Sequence, residues 1–143
     1  MISIQEALQI LEENLPDPRI DTVDLEEAHG RYLAKAISAP EPSPRYTNSA
    51  MDGYAVRWSD VMAASQENPV MLKVIGESRA GLPFAGEVKA QEAVHISTGA
   101  MLPTGADTVV RVEDTRKPTD AAVEILIVRF QGQDVRYEGE EFS

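Results

Sequence analysis

The stretch "APEPSPRY" places Pro40, Pro42 and Pro44 within five residues. Proline lacks an amide donor, fixes φ and pushes the residue before it out of the helical region, so this stretch can be neither helix nor central strand. It reads as an extended connector and divides the chain into two segments of different character. Before it lies helical periodicity. After it come short candidate strands around Tyr54 to Arg57, Val70 to Gly76, Ala93 to Ser97, Thr108 to Val112 and Ala122 to Phe130, separated by Gly, Pro and Asp-rich turns. Short strands at that spacing predict a mainly β (α+β) fold, a compact module of short bent β-strands with an N-terminal amphipathic helix. The expected divisions are 1–39 for the helix and linker, 40–130 for the β-rich domain and 131–143 for a return segment.

In "SIQEALQILEENL", Ser3 and Glu6 form a capping-box pattern in which each side chain satisfies the other's free backbone donor. Ile4, Ala7, Leu8, Leu11 and Leu15 follow at helical spacing, and Pro16 and Pro18 end the run, predicting a helix of about three turns. "DTVDLEEAHGRYLAKAIS" suggests a short strand, then a helical turn stopped by Gly30, then a second apolar segment through Tyr32, Leu33 and Ile37. His29, next to that glycine, reads as local structure. The polar tail "EGEEFS" closes neither a helix nor a hairpin, so the end of the chain is expected to be a processing or artificial boundary.

The 24 acidic and 13 basic residues give a net charge of −11, which argues against nucleic acid or an anionic membrane as partner, since both need clustered Lys and Arg. An anionic substrate would need local cations or a metal. The sequence contains no cysteine, which removes disulfides and Cys-based zinc sites, and it shows no secretory leader or membrane span. The default location is therefore the cytoplasm. Phosphate-loop, nucleophile-elbow and His-Glu-x-x-His patterns are all absent, which weighs against a self-contained enzyme.

Three stretches could carry chemistry. In "NSAMDGYAV" the Asp52-Gly53 pair predicts a two-residue hairpin turn, at which Gly53 permits a positive φ. Ser49 and Asp52 would then converge on one side of the corner, where Asp52 is either a turn former or a carboxylate offered to a ligand or metal. In "HISTGAMLPTGADTVV", Thr98 and Gly99 can present a hydroxyl with backbone N–H groups, which suits an oxyanion. Thr104-Gly105 looks like an ordinary turn, and His95 points to either face. In "GQDVRYEGEE", Arg136 is a cation in an acidic tail, suited to phosphate or carboxylate unless Glu138 or Glu140 pairs with it.

"PRYTNSAMDGYAVR", followed in order by "IGESRAG", "ISTGAMLPTGADTVVRVEDT" and "GQDVRYEGEE", resembles the successive motifs of the molybdopterin molybdenumtransferases, the MoeA and gephyrin E-domain family. The resemblance covers nearly the whole chain from "EALQILEENL" onward. It implies the N-terminal part of a longer homodimeric enzyme of molybdenum cofactor biosynthesis, which inserts molybdate into adenylylated molybdopterin with magnesium and releases AMP. This part would supply, in trans, a wall of the active site at the dimer interface, and would be inactive alone. By the same resemblance Asp52 and Thr98 are catalytic-site residues, Ser49, Gly53 and Gly99 shape the substrate-binding corner and Arg136 is an anion contact. No residue is assigned as a metal ligand. The helix would pack on a domain not present here. One departure stands out: Glu141 replaces the family's usual Asp at the end of the third motif and adds a methylene to its reach. The reading from a different class is a noncatalytic protein-binding β module in which Asp52 and Thr98 only form turns.

Overall fold

The computed structural model describes residues 2–142, and their contacts divide the chain into two units, Met1–Ser38 and Ala39–Ser143. In the first unit, α1 (Ile4–Asn14) starts at Ser3, whose Oγ accepts the Glu6 amide at 3.1 Å while Glu6 Oε2 accepts the Ser3 amide at 2.7 Å. The predicted capping box is thus formed, and the helix has the expected length. Within its unit the helix buries no residue, and the stripe of Ile4, Leu8, Leu11 and Leu15 is exposed. Beyond it, Leu25–Glu27 forms one tight 3-10 turn. The short strand expected around residues 21–24 is absent, because nothing in the unit offers it a pairing edge.

The second unit is built from strands. They are β1 (Asn48–Ser49), β2 (Gly53–Val56), β3 (Val70–Ser78), β4 (Glu92–Ile96), β5 (Thr108–Arg111), β6 (Thr115–Thr119), β7 (Ala122–Ile125) and β8 (Val135–Arg136), with one helical turn, α2 (Trp58–Val61), after β2. Six of them form a curled sheet in the order β5-β2-β4-β3-β7-β6, and β1 pairs with β8 in a separate two-stranded ribbon. Neighbours are antiparallel except β3 and β4, which run parallel with an irregularity between Val74 and Gly76. Asp107 holds α2 in place by accepting the Trp58 amide on Oδ1 at 2.7 Å.

The period-two alternation of the strands sorts side chains into two cores. Tyr54, Val56, Leu72, Ala93, Val110, Val123 and Ile125 fill one, and Ala55, Val88, Val94, Ile96 and Val109 fill the other. Strand β2, held between β4 and β5, is buried on both faces, so its position is fixed from four sides.

One expectation about turns is corrected. Asp52-Gly53 is not a two-residue hairpin: β1 leaves to pair with β8, whereas β2 enters the large sheet. Nor is Gly53 among the residues with positive φ. Glycine is required there because a Cβ would lie 2.0 Å from the carbonyl oxygen of Val110 on the adjacent strand β5. The tail is also better tied down than its composition suggests. Phe142 bridges Ser43 in antiparallel fashion, and the Glu141 amide donates to the Ser43 carbonyl at 2.9 Å.

Candidate functional site

In the pairing of β2 with β4, Gly53 lies opposite Ile96. The residue entering one strand therefore sits beside the turn leaving the other, which brings Asp52 to Thr98 across 46 residues of sequence. Asp52 Oδ1 accepts two hydrogen bonds from that one residue, from the Thr98 amide at 2.7 Å and from its hydroxyl at 2.9 Å. Both residues are exposed, and Oδ2 has no hydrogen-bond partner among the described residues. The Thr98 amide, then its hydroxyl, and to a lesser degree the nearby His95, hold the Asp52 carboxyl below the usual carboxylate range. The result is an ionised carboxylate with one oxygen fixed and the other free.

The loop leading to Asp52 is gripped on two sides. On one, the Gly99 amide donates to the Ser49 carbonyl at 2.8 Å and the Ser49 amide to the Ala100 carbonyl at 3.0 Å. On the other, Ser49 pairs with Val135 and the Ala50 amide donates to the Asp134 carbonyl at 2.8 Å. Ser49 itself is fully buried, and its hydroxyl donates to the Met51 carbonyl at 2.6 Å. Its side chain thus shapes the corner from within and does not join Asp52 at the surface. Gly99 has φ +76°, a left-handed turn in which its amide faces Ser49.

Arg136 stands on β8 and forms ion pairs with Glu140, at 3.3 Å, and with Glu141. Of the two partners expected for it, Glu140 is thus the one that pairs, while the Glu138 amide donates to the Thr47 hydroxyl. Glu141, the residue that departs from the family pattern, also accepts the Ser43 hydroxyl on Oε2 at 2.7 Å. Its longer side chain therefore links the tail to the proline-rich connector, and the charge of Arg136 is already matched.

Two arrangements carry no sequence signal. Arg111 on β5 and Asp134 form a bidentate pair, with Nε to Oδ2 and Nη2 to Oδ1 both at 2.8 Å. Asp134 has φ +53° and a side chain only 11% exposed, and Arg111 keeps its carboxyl below the ordinary range. Separately, Glu77 bridges Arg79 at 2.6 Å and His95 Nδ1 at 3.3 Å, and the His95 ring meets Tyr54 edge-on at 5.3 Å. His95 thus faces the Tyr54 side of the sheet. A surface depression of about 490 Å³ lies there, bordered by Tyr54, Glu77, His95, Lys117 and Asp120; neither Asp52 nor Thr98 lines it. Among the described residues no three His, Asp or Glu side chains converge as a metal site, and no helix is long and apolar enough to cross a membrane.

Residues 2–143 match the family described as "MoeA N-terminal region (domain I and II)". The chain belongs to that family. The MoeA N-terminal region described here is 40% identical over 140 residues to the molybdopterin molybdenumtransferase of a Nostoc species, covering 95% of this chain and 32% of that protein. It is 37% identical to the enzyme of the same name from Haemophilus influenzae, covering 99% of this chain and 34% of that one. Among solved structures, the molybdopterin biosynthesis moeA protein from Pyrococcus horikoshii OT3 superposes with a TM-score of 0.80 at 32% identity, over 97% of this chain and 37% of that one. This MoeA N-terminal region therefore spans about a third of the length of these relatives.

Proposed function

We propose that this chain forms one wall of the active site of a molybdenum-inserting transferase, which joins molybdate to adenylylated molybdopterin and releases AMP. The observation that carries the reading is the Asp52 carboxylate, ionised, with Oδ1 fixed by both Thr98 donors and Oδ2 unengaged. A carboxylate so oriented is suited to accept a proton from, or align, a substrate hydroxyl or a water without first reorganising. With both Thr98 donors committed to Asp52, the role of Thr98 is to position that carboxylate rather than to hold an oxyanion. Arg136 becomes an anion contact only if a phosphate displaces Glu140 or Glu141 from it. Support for the substrate class comes from membership of the MoeA N-terminal family and from the names of the relatives.

The rest of the cleft is assigned to other parts of the enzyme, with this wall offered across a homodimer interface in the cytoplasm. Magnesium is expected from the family resemblance; such an ion keeps several of its waters and takes one or two carboxylates together with substrate phosphates, so the free Oδ2 of Asp52 fits as one ligand or as the acceptor for a magnesium-bound water, the other ligands coming from outside this corner. The test is molybdate insertion by the gene product that carries this chain. Asp52→Ala and Thr98→Ala should each lower it by about tenfold or more with the fold retained. Wild-type turnover in both would leave the pair as a turn former and favour the protein-binding reading.

A further inference from the structure

We propose that Arg111 and Asp134 are positioning residues for Asp52, a brace that sets the Asp52–Thr98 clamp from behind. Two residues link the ion pair to the clamp through the backbone. Arg111 lies opposite Gly53 in the pairing of β5 with β2, and the next amide, Val112, donates to the Asp52 carbonyl at 3.2 Å. Asp134 accepts the Ala50 amide on its own carbonyl at 2.8 Å, two residues before Asp52. The ion pair therefore ties together the two backbone contacts that flank the loop.

The pair has a specific task because Asp134 is left-handed, at φ +53°. Few residues other than glycine adopt that conformation, and Asp and Asn are the tolerated ones. The guanidinium fork engages both carboxylate oxygens and Gln133 Nε2 reaches Oδ2 at 3.3 Å, which leaves the side chain one orientation. With the side chain fixed, the Asp134 carbonyl is aimed at Ala50. Without the fork, the 132–136 segment can rotate, the Ala50 contact lengthens, and Asp52 Oδ1 moves away from Thr98. The Arg129–Asp114 pair, 3.0 Å apart, adds charge beside the brace, whereas an ion pair at the far side of the sheet does not reach this loop. Arg116 and Glu124, 3.1 Å apart across β6 and β7, lie at the opposite edge from β5.

The inference rests on the functional reading only in treating Asp52 as the group to be positioned, and the experiment separates the two. In the 143-residue chain the Thr98 amide is followed by proton–nitrogen correlation spectra and hydrogen exchange. Arg111→Met is expected to move the Thr98 amide resonance upfield and to speed its exchange, as its bond to Asp52 loosens. Arg116→Met should leave both unchanged. Should Arg111→Met fail to fold, Arg111→Lys keeps the charge but not the fork, and the same direction of change is expected. An unaltered Thr98 amide in a folded Arg111→Met or Arg111→Lys chain overturns the brace. Molybdate insertion by the corresponding full gene product is then measured in the same variants. A loosened clamp with undiminished turnover would retain the brace and count against Asp52 as a catalytic group, so the two claims fail by different signatures.

Discussion

At Gly53 the requirement is space. A methyl group would lie 2.0 Å from a backbone oxygen of the adjacent strand, and backbone in the middle of a sheet cannot move aside cheaply. Gly53→Ala is expected to destabilise the fold by about 3 kcal/mol, read as a shift in the urea midpoint; a shift near zero would mean that the strands separate more easily than the packing implies. Asp134 sets a pH dependence. Its folded carboxyl, paired with Arg111, titrates below the unfolded one, so its stabilisation is present above the ordinary Asp range of about 3.9 and is lost as pH falls through the folded value. Asp134→Asn should therefore be less stable than wild type at neutral pH, with the two unfolding curves converging in acid. Parallel curves would show that the charge does not contribute. Neither Arg111 nor Asp134 was legible in the sequence, because 23 residues separate two ordinary charges. Asp52 was legible as a candidate, but the reason for Gly53 was not, since a close approach between strands leaves no pattern in a single chain.

Among the elements, those with a strong period were readable and those made by pairing were not. Strands β2, β3, β4 and β5 fall where alternating apolar residues placed them, and α1 follows its capping box. The strand expected to run from Ala122 to Phe130 stops at Ile125 as β7. Strand β6, "TRKPT", was missed because it is charged and contains Pro118; both features suit an edge strand, which the sheet order makes it. The two-residue strands β1 and β8 are made by long-range pairing, β1 with β8 on one side and with Met101 on the other, and the false hairpin at Asp52-Gly53 came from a local rule that such pairing overrode. The core at the centre of β3 provides a test. Leu72 is 1% exposed, and Leu72→Ala should cost about 2–5 kcal/mol in chemical denaturation. A cost below 1 kcal/mol would show a core able to collapse around the void.

For the molecule as a whole, four ordered motifs carried the family resemblance, and the match over residues 2–143 bears it out. What composition alone offered was narrower: an acidic chain of net charge −11, unsuited to polyanions, with strands enough for one β module. The charge bears on the proposed substrates, which are anions, because the exposed corner presents a carboxylate and the one cation singled out in the third motif is already paired. On the proposed reading, anion binding therefore draws on Arg136 freed from its glutamates or on cations elsewhere in the enzyme. If the charge on Asp52 acts on substrate, Asp52→Asn removes it while the amide can still accept both Thr98 hydrogen bonds on its oxygen. The measurement is molybdate insertion by the gene product carrying that substitution, alongside its urea midpoint. About a tenfold or greater loss of turnover in a folded protein is expected, with the urea midpoint lowered only slightly, because the neutral amide accepts the Thr98 hydrogen bonds less strongly than the carboxylate does. Undiminished turnover would contradict that role of the charge and leave Asp52 as a structural corner.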